Sequence, residues 1–297
     1  MDVKRFFSSS LKLLKSRLEV LFIWSWSTTI ACLIVGKGVP PLLPTVKSII
    51  SVLFVTASVY VYNDVIDVEA DKYNTLKRNR PLPTGQVDLV DAKLLVALTC
   101  IIGLLIGYTI NLMSFSFLAI YFLVFGAYSY PGIHLKRRFL IKEIVISSGP
   151  IITSFIGSYA IASSLSYPAV FAAGLTALLG MVIQPGLNDS TDIEADKLQG
   201  IKTLAIALSW KHKMQMLIGG IIIVMVTVPF VYWRFGFNVL FPFWIVVGGL
   251  ITLRYILPIA KAFDESPVLK ARRMVIIYWA LMQVFSVLGT LSISILP

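Results

Sequence analysis

The sequence predicts an all-α integral membrane protein, a bundle of nine transmembrane helices with its functional loops gathered on the cytoplasmic side. Three observations carry this expectation. Hydrophobic residues make up 57% of the 297-residue chain and charged residues only 14%, against roughly 25% charged in an ordinary soluble domain. The apolar residues fall in runs of about 18 to 22, long enough to cross the roughly 30 Å hydrocarbon core of a bilayer as helices. The basic residues alternate in density from loop to loop, the signature of positive-inside topology.

Residues 1–16 set Lys4, Arg5, Lys12 and Lys15 beside Phe6, Phe7, Leu11, Leu13 and Leu14, the pattern of a short amphipathic helix lying on the membrane surface. A secretory signal is the competing reading of the first apolar run. That run contains Trp24 and Trp26 and lacks a small-residue cleavage site after it, so it is expected to be a retained span. Nine runs follow one another near residues 18–36, 45–63, 91–110, 113–130, 141–162, 168–187, 214–232, 239–257 and 273–295. No polar linker divides them, so residues 1–297 are expected to form a single transmembrane domain.

With the spans alternating in direction, the N-terminus and the loops after even-numbered spans share one side. Of the 26 basic residues only Lys37, Lys47 and Arg234 fall on the other. The expected topology therefore has a cytoplasmic N-terminus and an external C-terminus. It also accounts for the net charge of +11 without a nucleic-acid partner. Cys32 and Cys100 each lie within an apolar run and have no partner spacing, which indicates packing rather than a disulfide or a zinc site.

All fifteen acidic residues lie on the cytoplasmic side, which topology does not demand, because Asp and Glu contribute little to it. Eight of them belong to a ten-residue pattern that occurs twice, Asn63-Asp64-Val65-Ile66-Asp67-Val68-Glu69-Ala70-Asp71-Lys72 and Asn188-Asp189-Ser190-Thr191-Asp192-Ile193-Glu194-Ala195-Asp196-Lys197. At about 100° per residue, Asp64, Asp67 and Asp71 share one helix face, as do Asp189, Asp192 and Asp196. Glu69 and Glu194 fall about 140° away and are expected to face water or a basic partner. Like charges on one face repel until a cation neutralises them. Carboxylates are hard oxygen donors and suit Mg2+, which is commonly held by one or two of them together with phosphate oxygens. Two such faces would hold two ions on either side of one diphosphate. The plain alternative is that Asn and Asp terminate helices, and recurrence at matching ends of two spans favours the metal.

Basic and turn-forming residues follow each motif, as Lys77-Arg78-Asn79-Arg80-Pro81-Leu82-Pro83-Thr84-Gly85 and Gly200-Ile201-Lys202-Thr203. Arg80 and Lys202 are candidates for phosphate oxygens, and Pro81, Pro83 and Gly85 hold the chain around Arg80. A third loop on this side, Tyr128 to Arg138, sets Tyr128 and Tyr130 at a helix end beside Lys136-Arg137-Arg138. His134 and His212 lack neighbours at metal spacing and read as interfacial. Arg272, in a loop without motif acids, reads as a topology residue alone.

On these motifs the chain resembles the UbiA superfamily of intramembrane aromatic prenyltransferases. The match consists of Asn63-Asp64-x-x-Asp67-x-x-x-Asp71, then Asn74, Arg80-Pro81-Leu82 and Gly85, then Asp192-x-x-x-Asp196 with Asp189 one turn earlier, and Gly200 and Thr203. The segment from Tyr128 to Lys136 resembles the chlorophyll synthase and homogentisate prenyltransferase branches. The chain departs from the pattern at Arg17-Leu18, where members often have Arg-Pro, and at Lys197, where Arg is common.

The resemblance covers the whole chain and implies a UbiA-like helical bundle. It implies Mg2+-dependent transfer of a prenyl group from an allylic diphosphate, for example geranylgeranyl diphosphate, to an aromatic or other acceptor in the lipid bilayer. Asn63, Asp67 and Asp71 would hold one Mg2+ and Asp192 and Asp196 the other, with Asp64 and Asp189 either as supporting ligands or as partners of the ligands one layer behind them. Asn74, Arg80, Lys136, Arg137 and Lys202 would bind substrate, and Arg137 would join the four aspartates Asp67, Asp71, Asp192 and Asp196 in the catalytic set. Tyr128 and Tyr130 would shield the allylic cation. Acceptors within the superfamily range from quinone precursors, chlorophyllides and haem to a glycerol phosphate ether lipid, and nothing in the sequence selects among them. The rival class is a secondary transporter, which would place ionisable groups near the bilayer midplane on broken helices. Here the acids lie at or beyond helix ends.

Overall fold

The computed structural model describes residues 3–74, 77–189, 193, 197, 203–261 and 263–292. Twelve α-helices carry the described chain: α1 Val3–Lys15, α2 Leu18–Val35, α3 Leu42–Lys72, α4 Leu89–Tyr108, α5 Leu112–Ser129, α6 Ile141–Ser147, α7 Gly149–Ala162, α8 Tyr167–Ile183, α9 Leu204–Ala207, α10 Trp210–Val231, α11 Leu240–Ile259 and α12 Glu265–Thr290. Among the described residues nine spans are long and apolar enough to cross a membrane, in the order the hydropathy predicts. One of them is α6 and α7 together.

Helix α1 is amphipathic as expected, with Val3, Phe7 and Leu11 exposed along one side and Leu13 buried on the other. Polar contacts hold it to the bundle as well. Ser9 Oγ donates to Asp91 Oδ2 of α4 at 2.9 Å, and Arg5 reaches the same carboxylate at 3.4 Å.

Helix α3 is 31 residues long, about 46 Å at 1.5 Å per residue, and so exceeds the hydrocarbon thickness by several turns. The first acidic motif occupies that excess. The sequence places the start of a long loop near residue 64, whereas the structure keeps residues 63–72 helical, so the motif rides on a rigid rod rather than a loop.

Two breaks shape the spans that face α3. Pro150 removes a backbone donor at the junction of α6 and α7. The neighbouring Gly149 packs against the Trp24 indole so closely that a Cβ there would lie 2.4 Å from a ring carbon. Trp24 in turn stacks on Tyr121 at 4.4 Å and meets Phe125 edge-on at 5.0 Å. Helix α8 ends in a π turn, Gln184–Asn188. Pro185 cannot donate to the carbonyl four residues back, and the turn closes with Asp189 N–H donating to Gln184 O.

Among the described residues, a small cluster packs Leu13, Val61, Leu82, Val87, Ala92 and Leu95 beneath α1, and two larger apolar cores result. One joins α2, α3, α5 and α7 through Trp24, Val52, Val55, Val59, Tyr121 and Ile156. The other joins α8, α10, α11 and α12 through Leu179, Leu217, Ile221, Phe241, Ile245 and Tyr278. Helix α2 contributes to both.

Candidate active site

Asn63, Asp67 and Asp71 recur every fourth residue along the last turns of α3 and form one wall of a cavity of about 250 Å³. Spacing of i, i+4 and i+8 keeps them within about 80° of one another. Asp64 does not belong to this wall. It is 3% exposed and turns toward the junction of α1 and α2, where Arg17 Nε donates to its Oδ2 at 2.8 Å and Arg17 Nη2 to its Oδ1. The face the sequence assigns to Asp64, Asp67 and Asp71 is thus carried by Asn63, Asp67 and Asp71.

Arg17 is itself buried, with its guanidinium 5.8 Å from the centre of the Tyr60 ring. Burial works to lower its pKa, and the charge and hydrogen bonds of Asp64 outweigh that, so the pKa lies above its ordinary value. Arg80 joins the same network. Its Nη1 donates to Asp64 Oδ1 and to Asp71 Oδ2, each at 3.1 Å.

Lys136 closes the opposite side of the first motif. It lies in a short 3-10 turn, Leu135–Arg137, entered through His134 at φ 47°, a left-handed conformation that His adopts more readily than most residues. The reversal carries the Lys136 ammonium inward, where it donates to both oxygens of Asp67, and leaves Arg137 exposed. Burial, followed by the charges of Arg137 and Lys136, holds the His134 pKa below its ordinary value. Ser129 Oγ, at the end of α5, donates to Asn63 Oδ1 at 2.6 Å. That oxygen keeps a second lone pair for another partner.

The second motif enters from across the cavity. Asp189 lines it, with Lys142 Nζ 3.1 Å from Asp189 Oδ2. The π turn before Asp189 adds a residue to the turn, a rotation of about 100°. Accordingly Asn188 lines a neighbouring chamber while Asp189 faces the cavity, whereas in the first copy Asn63 faces the cavity and Asp64 is turned away. The opening Asn-Asp pairs of the two copies are alike in sequence and out of phase in space. Glu143, fully buried beside Lys142, accepts a hydrogen bond from Leu204 N at 2.9 Å and so ties the chain that returns from the second motif to α6.

The sequence-predicted residues divide as follows. Asn63, Asp67, Asp71, Arg80, Tyr128, Lys136 and Asp189 line one cavity. Asp192, Asp196 and Lys202 lie outside the described residues. Arg137 is on the surface and Tyr130 is 52% exposed; neither lines the cavity, since Tyr130 caps the end of α5 and the turn at His134 points Arg137 outward while Lys136 points in. Asn74 is buried at the end of α3, where its carbonyl accepts from Lys77 N and Arg78 N; it builds the turn that brings Lys77 to the cavity. Arg17, Lys77, Ser129 and Lys142 line the cavity unforeseen. Three of these are basic residues near span ends, where positive-inside topology explains a charge equally well. Glu69 behaves as expected, exposed and paired with Lys72 at 2.8 Å.

A chamber of about 280 Å³ adjoins the cavity and shares Tyr60 and Ile146 with it. Its other walls come from α2, α7, α8 and α12 and are largely apolar.

A profile of the UbiA prenyltransferase family matches residues 25–291. The chain belongs to the UbiA prenyltransferase family. It is 30% identical to a digeranylgeranylglyceryl phosphate synthase of Sulfolobus acidocaldarius across 82% of this chain and 84% of that protein. The fold agrees. A solved structure concerned with digeranylgeranylglyceryl phosphate synthase in membranes superposes with a TM-score of 0.76 at 21% identity, covering 96% of this chain and 98% of the other. A UbiA homologue from Archaeoglobus fulgidus, bound to DMAPP and Mg2+, superposes with a TM-score of 0.70 at 19% identity, covering 97% and 100%. As a UbiA prenyltransferase this is an integral, multi-pass membrane enzyme, and the transporter alternative is set aside.

Proposed function

We propose that this UbiA prenyltransferase moves a prenyl group from an allylic diphosphate to a glycerol-phosphate-type lipid, releasing diphosphate, with Mg2+ bound by its acidic residues and its active site open to the cytoplasm. The observation that carries the reading is the cavity in which Asn63, Asp67 and Asp71 face Asp189 across a ring of Arg and Lys side chains. The acceptor class is supported by the relative from Sulfolobus acidocaldarius, named for digeranylgeranylglyceryl phosphate. The orientation is supported by the basic residues, all but three of which fall on one side of the nine spans.

The donor set fits Mg2+ in its chemistry, since Asn63, Asp67, Asp71 and Asp189 offer oxygen atoms alone. Among the described residues no three acidic side chains gather closely enough to hold one ion, and each carboxylate is neutralised internally. Arg80 sits on Asp71, Lys136 on Asp67 and Lys142 on Asp189. Asn63, Asp67 and Asp71 would hold one ion, and Asp189 with Asp192 and Asp196 the other. When bound, Mg2+ supplies Lewis-acid and template chemistry toward the departing diphosphate.

The chain's own residues do the rest. Arg80, Lys136 and Lys142, freed from their carboxylates, meet the phosphate oxygens where negative charge develops. Arg17 stays on Asp64 and fixes the helix end that presents the donors. Tyr60, Phe125 and Tyr128 line the same cavity and give the allylic carbon aromatic faces in a space shielded from water.

Purified protein with labelled geranylgeranyl diphosphate, Mg2+ and a panel of acceptors tests this reading. Labelled product is expected with a prenyl glyceryl phosphate. Product with an aromatic quinone precursor and none with the glyceryl phosphate would overturn the acceptor class.

A further inference from the structure

The chamber behind Tyr60 contains a cation that the sequence assigns to topology alone. Arg272 stands near the start of α12, on the same face as Ile276 and Trp279, and all three line the chamber. Its Nε is buried and has no hydrogen-bond partner, and no ion pair joins it to a carboxylate among the described residues. An N–H held out of water without an acceptor costs about 1–3 kcal/mol, so a ligand that brings an acceptor there is favoured. Glu19 lines the same chamber from the start of α2, but it is exposed and leaves Arg272 unpaired. The lining is otherwise mostly apolar, through Val20, Ile23, Ile183, Ile276 and Trp279, with Gln184 and Asn188 among its polar members. Ile23 and Ile276 are exposed on helices apolar enough to cross a membrane, which suits a chamber that opens toward lipid.

We infer that Arg272 is the headgroup anchor of the acceptor site, holding the phosphate monoester of a single-chain glyceryl lipid whose hydrocarbon lies between α2 and α12. The inference rests on the acceptor class proposed above. A planar guanidinium offers paired N–H donors that match phosphate oxygens, and an apolar chamber raises the worth of that contact by excluding water. Position fits the reaction. Tyr60 and Ile146 are common to both spaces, so an acceptor fixed at Arg272 has the end of the diphosphate cavity within reach. The anchor acts on binding, and its loss falls on the acceptor KM and not on the donor KM.

The test compares the protein with Arg272→Gln, Arg272→Lys and the adjacent, exposed Arg273→Gln. The probes are a prenyl glyceryl phosphate, its dephosphorylated alcohol and inorganic phosphate. Arg272→Gln is expected to raise the KM and the directly measured Kd for the phosphate lipid about ten- to a hundredfold. It should leave the donor KM and the weaker binding of the alcohol within about twofold. Arg272→Lys should recover part of the loss, and Arg273→Gln should match the parent. Equal affinity of the parent protein for the phosphate lipid and the alcohol would overturn the anchor. So would an Arg272→Gln protein with unchanged acceptor KM, or inorganic phosphate bound as tightly as the lipid. Arg272-dependent binding of the phosphate lipid without prenyl transfer would uphold the anchor and retire the proposed acceptor class.

Discussion

Arg17 and Asp64, 47 positions apart, form a buried two-pronged ion pair that fastens the start of α2 to the acidic end of α3. The pair is nearly sealed from water, with side chains 10% and 4% exposed. Removing one member of such a pair leaves the other charge buried and poorly matched, at a cost of about 3–5 kcal/mol. Arg80 also touches Asp64, so the lower end of that range applies. Arg17→Gln is expected to lower the thermal midpoint in detergent by roughly 5–10 °C. The double replacement Arg17→Met with Asp64→Leu should regain part of the loss. A midpoint unmoved by Arg17→Gln would remove the pair from the list of interactions that hold the site.

Asp67 faces the cavity, and its carboxylate pairs with the Lys136 ammonium. Asp67→Ala leaves the Lys136 ammonium, whose side chain is 9% exposed, without its carboxylate and so lowers the midpoint as Arg17→Gln does; assayed below that midpoint, it is expected to reduce turnover at least a hundredfold, about 2.7 kcal/mol in the barrier. Chelation of Mg2+ should do the same to the parent protein, reversibly on readdition. The readout is diphosphate release from a labelled prenyl donor. Near-parental turnover of Asp67→Ala would show that the metal is held elsewhere.

Arg80 bridges Asp64 and Asp71 at the rim of the cavity. A lost charge-assisted contact to phosphate is worth about 1.5–3 kcal/mol, which predicts a ten- to hundredfold fall in kcat/KM for Arg80→Gln. Arg273→Gln is the matched control, an exposed arginine in α12 that should change the rate less than twofold. Arg272 cannot serve as that control, since it lines the adjoining chamber. If Arg80→Gln and Arg273→Gln prove equally mild, Arg80 is a topology residue and the diphosphate is gripped by Lys136 and Lys142.

The orientation is open to a labelling experiment. Gln86 is exposed beyond the first motif and Lys197 is exposed at the end of the second, and the native Cys32 and Cys100 can be replaced to give a silent background. Single cysteines at both positions should react with an impermeant thiol reagent from the cytoplasmic face only. Reaction from opposite faces would separate the two motifs and dismantle the shared site.

Nine spans, the amphipathic first helix and the acidic ends of two helices were legible from the sequence because each is local. Hydropathy sums over about twenty residues that move together as one helix, and the face of a helix follows from a fixed rotation per residue. The duplicated Asn-Asp-x-x-Asp pattern is likewise local, a run of oxygen donors visible through residue type alone.

What tertiary structure decided is which way each charged side chain turns. The sequence could not pair Arg17 with Asp64 or Lys142 with Asp189, because pairing depends on how separate helices meet, and a basic residue at a span end is already explained by topology. It could not distinguish Lys136 from Arg137, adjacent and alike, since a single left-handed residue at His134 sends one inward and the other to the surface. Nor could it foresee that the opening Asn-Asp pairs of the two motifs are one residue out of phase, with Asn63 and Asp189 facing the cavity, which follows from the π turn at Pro185. Arg272 is the sharpest case. In the chain it is one basic residue among 26, and only the packing of α12 against α2 and α8 turns its guanidinium into an apolar chamber beside the site.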